Sequence, residues 1–330
     1  METAHVRNLT DMNASLSESP QTGLEGVWAH IAVLSVLTIA ILSLNVCVIH
    51  AIMKNKHLRT GSNSLIVSLA VADICIALFV IPGHISRNFS ERYMGNILCV
   101  FCSYSSSVSM AAAAFSLCAI SLVRVRAVAY PLKPKFSKRD AGFVIVPLWL
   151  VALVYGLRGG LTFSLRDVTL LNGVNRTICT MNSADVVNEG VAAVELVVIF
   201  ILPAIVVCVS YAVILYLISQ HNRRMNGGDE NKVIINRTNN TGVKAVRVSI
   251  LMVSIFVVCH LPTNVVMMYV SSGVELFPQI AILVRAFYII AFINSVLNPI
   301  CYGFFNPNIR RGLYKACSAC CCCRRINTRQ

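Results

Sequence analysis

Seven long apolar runs, with almost no charge inside them, leave this chain few folds to choose from. They cover residues 28–53, 65–85, 97–123, 143–157, 191–218, 248–270 and 280–304. Crossing about 30 Å of hydrocarbon takes roughly 20 helical residues, a length most of the runs reach. The fourth reaches it only by continuing past Arg158 to Leu161. Barrel strands are excluded, because they need only about ten residues and alternate polar with apolar. Composition agrees: 56% of the 330 residues are hydrophobic and 13% charged, too little polar surface to cover a soluble core of that size. The expected fold is all-α, a seven-transmembrane helix bundle over 28–304 with a tail at 1–27 and a surface helix with a cysteine-rich tail at 305–330.

Charge orients the bundle. With the N-terminus outside, 21 of the 28 Lys and Arg fall on the cytoplasmic side, and only Asp140, Asp229 and Glu230 of the 14 acids join them. That asymmetry is the positive-inside pattern. A basic face against anionic membrane lipids accounts for the net charge of +14, so no nucleic-acid partner is called for. The opening METAHVRNLT has no apolar core of signal-peptide type, and the first run is expected to act as an uncleaved signal anchor at the plasma membrane. Asn8 and Asn13 head glycosylation triplets in the outer tail. Similar triplets at Asn236 and Asn239 fall on the inner side and do not count.

The cysteines sort by depth. Cys47, Cys75, Cys118, Cys208, Cys259 and Cys301 lie inside apolar runs and read as small packing residues. Cys99, at the outer end of the third run, and Cys179, in the outer loop before the fifth, are the pair expected to form a disulfide. Cys317, Cys320, Cys321, Cys322 and Cys323 sit inside, beside lipid. No His or second CxxC accompanies them, so acylation fits better than zinc. In FNPNIRRGLYKAC, Asn306 and Pro307 start a short helix. It places Ile309, Leu313 and Ala316 opposite Arg310, Arg311 and Lys315, a helix that lies along the membrane surface.

Polar residues within the runs are few and costly in hydrocarbon: Asn45, Asp73, Glu195, His260, Asn294 and Asn298, with Arg124, Arg158 and Arg285 nearer the ends. Their order carries a resemblance. Asn45 lies in the first run, SLAVAD ends at Asp73 in the second, and Cys99 precedes Arg124 by 25 residues. Trp149 marks the fourth, Pro203 and Tyr211 the fifth, FVVCHLP the sixth, and NPICY (Asn298, Pro299 to Tyr302) the seventh. On these motifs the chain resembles the rhodopsin-like (class A) G-protein-coupled receptors across all seven runs. The resemblance implies a ligand-activated receptor that transmits an extracellular signal to heterotrimeric G proteins, with no cofactor.

It also implies roles. Arg124, Tyr211, Asn298, Pro299 and Tyr302 would serve activation and G-protein coupling, and Asn45, Asp73, Asn294 and Asn298 a polar hub. In the family an Asp-Arg-Tyr triplet ends the third helix, and its arginine rests against that Asp and often against an acid on the sixth. Here the triplet is Val123-Arg124-Val125, and the start of the sixth helix offers Gly242 and Lys244. On residue type alone Arg124 could equally snorkel to headgroups. In the family context it has lost its resting clamp, which predicts raised basal activity. Ala113 stands where a serine usually helps hold sodium beside Asp73, so Asp73 is kept as a hub and no metal is assigned.

The ligand is less legible. Ser106 replaces the aspartate that holds amines in the family, and Phe292 replaces the lysine that binds retinal, so neither ligand is expected. Glu195 either pairs with Arg158 or meets a basic ligand group, with His84, Ser106, Asn264, Arg285 and Tyr288 as neighbours. His260 stands where the family usually has Trp and reads either as a neutral bonded histidine or as a ligand-contacting or proton-sensing switch. Competing functions are a non-coupling scaffold or ligand scavenger, and a transporter or channel, which would show internal repeats absent here. No hydrolase elbow, phosphate loop or pair of intramembrane catalytic acids supports an enzyme. Arrestin is a further candidate partner, weakly recruited by a tail whose hydroxyls are Ser318 and Thr328.

Overall fold

The computed structural model describes residues 20–86, 91–130, 134, 136–169, 175–181, 190, 193–224, 232–271, 278–305 and 309–313. Asn8, Asn13, Asn306, Pro307, Cys317, Cys320, Cys321, Cys322 and Cys323 lie outside the described residues. Among the described residues, seven helices are long and apolar enough to cross a membrane. They are α1 (Pro20–Lys54), α2 (Gly61–Cys75, continued into Ile81–Ser86), α3 (Glu91–Ala129), α4 (Lys138–Thr162), α5 (Leu202–Arg224), α6 (Lys232–Ser271) and α7 (Pro278–Phe305). The short fourth run belongs to a helix of 25 residues, which settles its length. Between the fifth and sixth apolar runs, α5 continues to Arg224 and α6 starts at Lys232, so most of 219–244 is helix. No proline lies between Pro203 and Pro262 to stop either helix.

Two of the helices change register ahead of a proline. Residues Ile76–Val80 form a π-helical turn before Pro82, and Leu196–Ile201 form another before Pro203. Proline lacks the N–H and crowds the carbonyl four residues back, and a π turn relieves both faults. One extra residue per turn rotates the preceding side chains by about 100° relative to an unbroken helix. This rotation sets the direction of Glu195, which immediately precedes the second π turn.

Central α3 is lined with small residues. Ala111, Ala112, Ala113, Ala114 and Ser116 are buried and let neighbouring helices come close. Trp149 on α4 donates its indole N–H to Ser68 Oγ on α2 at 3.0 Å, and that hydroxyl shares a 3.1 Å hydrogen bond with Ser116 Oγ on α3. Three helices are thus joined at one polar point inside an apolar core. On the outer surface Ile39, Val146, Val154, Ile205 and Val258 are exposed, a face suited to lipid tails.

At the end bearing Arg124, α4 opens with a capping box. Ser137 Oγ accepts from the Asp140 N–H at 3.1 Å, and Asp140 Oδ2 accepts from the Ser137 N–H at 3.0 Å. Gly61 abuts the backbone of Phe136 and Ser137, and a Cβ there would meet the Phe136 carbonyl oxygen at 2.6 Å. Residues 309–313 are helical after α7. Ile309 is fully buried, while Arg310 and Arg311 are exposed, in line with the amphipathic pattern. Gly312 closes on the turn between α1 and α2, where a Cβ would lie 2.8 Å from Leu58 Cδ1.

At the opposite end a hairpin that apolar patterning did not anticipate follows α4. Strands β1 (Phe163–Thr169) and β2 (Asn175–Met181) pair antiparallel, with Leu165 opposite Cys179. Cys179 is disulfide-bonded to Cys99 near the start of α3. The Leu165 N–H also donates to Asn96 Oδ1 at 3.0 Å. The hairpin is therefore pinned to α3 at two points, across the mouth of the bundle.

Candidate functional site

Beneath that hairpin the helices enclose a cavity of about 110 Å³. Its shape begins with glycine. On α4 a Cβ at Gly159 would lie 2.6 Å from the Ser103 carbonyl oxygen and 2.5 Å from Ser107 Oγ. Only glycine lets α4 approach α3 so closely, and both serines line the cavity. The adjoining Arg158 then reaches inward, forms an ion pair with Glu195 and donates from Nη1 to the Tyr155 hydroxyl at 3.1 Å. Glu195 pairs with Arg158, the first of its two alternatives, and both side chains line the cavity.

The opposite wall is aromatic. The His84 ring lies 4.3 Å from that of Tyr288 and 5.2 Å from that of Phe292. Deeper in, His260 is buried with its ring 4.7 Å from Phe256, and Asn264 Nδ2 donates to the His260 carbonyl at 2.8 Å, beside the kink at Pro262. Six of the seven expected pocket residues line the cavity: His84, Ser106, Glu195, His260, Asn264 and Tyr288. The seventh, Arg285, does not. It is exposed on α7, one turn above Tyr288 and beyond the cavity. Sequence reasoning missed Ser103, Ser107 and Thr263 on the cavity wall.

Below the cavity lie the four residues expected to form a polar hub. Asn298 Nδ2 donates to Asp73 Oδ2 at 3.0 Å, and Asn45 Nδ2 donates to the carbonyls of Ile41 at 3.0 Å and Ser295 at 3.1 Å. All three of these side chains and Asn294 are buried. Asp73 Oδ1 and Asn294 Oδ1 have no hydrogen-bond partner among the described residues. A small cation, a water or a proton would satisfy such oxygens, yet Ala113 leaves the usual sodium donor set one oxygen short.

Arg124 closes the other end of the bundle. It shares a small pocket of about 10 Å³ with Ser210, Tyr211, Ile214 and Ser249, between α3, α5 and α6. Its Nε is buried without a hydrogen-bond partner, as is the Tyr302 hydroxyl. Among the described residues the ion pair of Arg158 with Glu195 involves no part of this end, and Arg124 meets no carboxylate.

A sequence model of the family described as 7 transmembrane receptor (rhodopsin family) matches residues 44–302. The chain belongs to that family. Relatives include the RYamide receptor of Tribolium castaneum, 28% identical over 94% of this chain and 87% of its own length. Neuropeptide FF receptor 1 of Rattus norvegicus is 28% identical over 84% of this chain and 67% of its own length. The tachykinin-like peptides receptor 86C of Drosophila melanogaster is 25% identical over 84% of this chain and 56% of its own length. As a rhodopsin-family member the chain is a multi-pass, ligand-activated receptor coupled to G proteins, which sets aside the enzyme, transporter and channel readings. Val123, beside Arg124 on α3, is buried.

Proposed function

We propose that this receptor is activated by a peptide that enters from the disulfide end, with the N-terminus outside and the Arg124 face toward the cytoplasm. Three observations support the reading: a polar cavity beneath a disulfide-pinned hairpin, relatives named for RYamide, neuropeptide FF and tachykinin-like peptides, and the inward crowding of Lys and Arg. The cavity carries the proposal, since it combines an aromatic wall with a polar one and sits where a peptide end can reach. Ligand contact is assigned to His84, Ser106, Glu195, His260, Asn264 and Tyr288, and coupling to Arg124, Tyr211, Asn298, Pro299 and Tyr302. Glycans at Asn8 and Asn13, and acyl chains on Cys317, Cys320, Cys321, Cys322 and Cys323, belong to the same topology.

The test is G-protein activation in cells that express the chain, challenged with synthetic RYamide, neuropeptide FF and tachykinin-class peptides. A saturable response that Arg124→Ala removes at equal surface level is the expected result. Silence toward every peptide, with a response to a non-peptide ligand, overturns the peptide assignment. Ligand-free signalling above that of untransfected cells is also expected, because Arg124 meets no carboxylate among the described residues.

A further inference from the structure

Two further triplets of the N-linked acceptor type fall in the connections on the disulfide side, Asn88-Phe89-Ser90 and Asn175-Arg176-Thr177. The first lies outside the described residues; the second opens strand β2. A triplet alone is a weak signal, as Asn236 and Asn239 in α6 show. Its place in the fold decides whether it counts. Cys179, on the same short strand as Asn175, is joined to Cys99. Such a bond forms in an oxidising compartment, so the strand that carries Asn175 folds on the luminal side, where oligosaccharides are transferred.

The ladder gives the acceptor a free position. Asn175 pairs with Thr169 in the last rung before the turn, whereas the rung held to α3 is Leu165 with Cys179. About 14 Å of strand separates the two rungs. Between them Thr177 Oγ1 donates to Asp167 Oδ1 at 2.6 Å, across the ladder. That bond ties β1 to β2, and a sugar on Asn175 leaves it in place. Both strands of a two-stranded sheet are edges, and a bare edge pairs with other chains. A bulky hydrated group at the free end of β2 closes that edge.

We propose that Asn175 is an N-glycosylation site whose oligosaccharide covers the free end of the hairpin, while the pinned end stays over the cavity mouth. The proposal rests on the reading of the disulfide end as the outer one and adds a modification site to it. The donor is a lipid-linked oligosaccharide diphosphate. The Asn175 amide nitrogen bonds to C1 of the first sugar as the bond from C1 to the diphosphate oxygen breaks. The electron pair of that bond leaves with the diphosphate, which also takes up the proton lost by the amide. Thr177 supplies the hydroxyl that completes the acceptor triplet.

The site is read on the full-length chain expressed in eukaryotic cells, in a background of Asn8→Gln, Asn13→Gln and Asn88→Gln. Treatment with peptide-N-glycosidase is expected to give one discrete step in electrophoretic mobility. Adding Asn175→Gln or Thr177→Ala should abolish the step, whereas Thr177→Ser, which keeps a hydroxyl, should retain it. Transfer precedes folding, so the step is read even from a variant that misfolds. In detergent, Asn175→Gln alone is expected to leave a larger aggregated share in size exclusion than the native chain does.

A background chain without a step overturns the site, and equal aggregated shares overturn the covering role. The orientation is tested separately. A step present in the native chain and lost with Asn8 and Asn13 keeps the disulfide end outside while removing Asn175. A step that survives Asn175→Gln and disappears with Asn236→Gln and Asn239→Gln overturns the orientation and the site together.

Discussion

Val123→Asp is the substitution that most directly probes how firmly this receptor is held at rest. Arg124 shares a pocket of about 10 Å³, room for about one water, with residues of α5 and α6. Within it the guanidinium Nε is buried and unpartnered, and the adjacent Val123 is 9% exposed. An aspartate at 123 supplies a carboxylate to that guanidinium. The gain of a partly buried ion pair, less the cost of burying the acid, comes to about 1 kcal/mol. At 1.4 kcal/mol per tenfold, that shifts the active-to-closed ratio down about fivefold. The assay is ligand-free G-protein activation at matched surface expression, with Arg124→Ala as the second arm. Arg124→Ala should lower the signal to that of untransfected cells, because the coupling side chain itself is gone. A Val123→Asp signal equal to or above the native one would refute the reasoning, since the carboxylate would then have found no cation to hold.

Three further substitutions test the architecture. Cys179→Ser opens a link across a sequence separation of 80, which the loop-closure model values at about 4.5 kcal/mol; surface expression should fall, and a reductant should lower the native receptor's melting temperature toward that of the variant. Ser68→Ala leaves the Trp149 indole N–H without its acceptor at a cost of about 1–3 kcal/mol, whereas the added Trp149→Phe should recover part of the loss in thermal unfolding. Gly159→Val drives a side chain into the Ser103 backbone and costs about 1–3 kcal/mol of overpacking; it also displaces Arg158, so ligand potency should drop more than it does for Gly142→Val, where a Cβ meets nothing within 4 Å.

What the sequence disclosed and what it hid follow from two different kinds of information. Hydrophobic length reports depth in the bilayer, which is why the seven helices and the pairing of Cys99 with Cys179 at one membrane face were legible in the order of residues. Rotation about a helix axis is another matter. Pro82 and Pro203 were visible, but not the π turns that accommodate them and re-aim Glu195. The hairpin did leave a signal: Asn172-Gly173 between runs rich in Thr, Val and Ile is strong hairpin chemistry, and a scan confined to apolar length passes over it. Arg285 shows the remaining limit. It shares a helix face with Tyr288, three residues on, yet one residue lines the cavity and the other is exposed. A rise of about 4.5 Å separates them along the axis. Helical periodicity alone assigns a face and never a height, so contact with the ligand cavity follows only where the packing of α3 against α4, set by Gly156 and Gly159, fixes how deep that cavity lies.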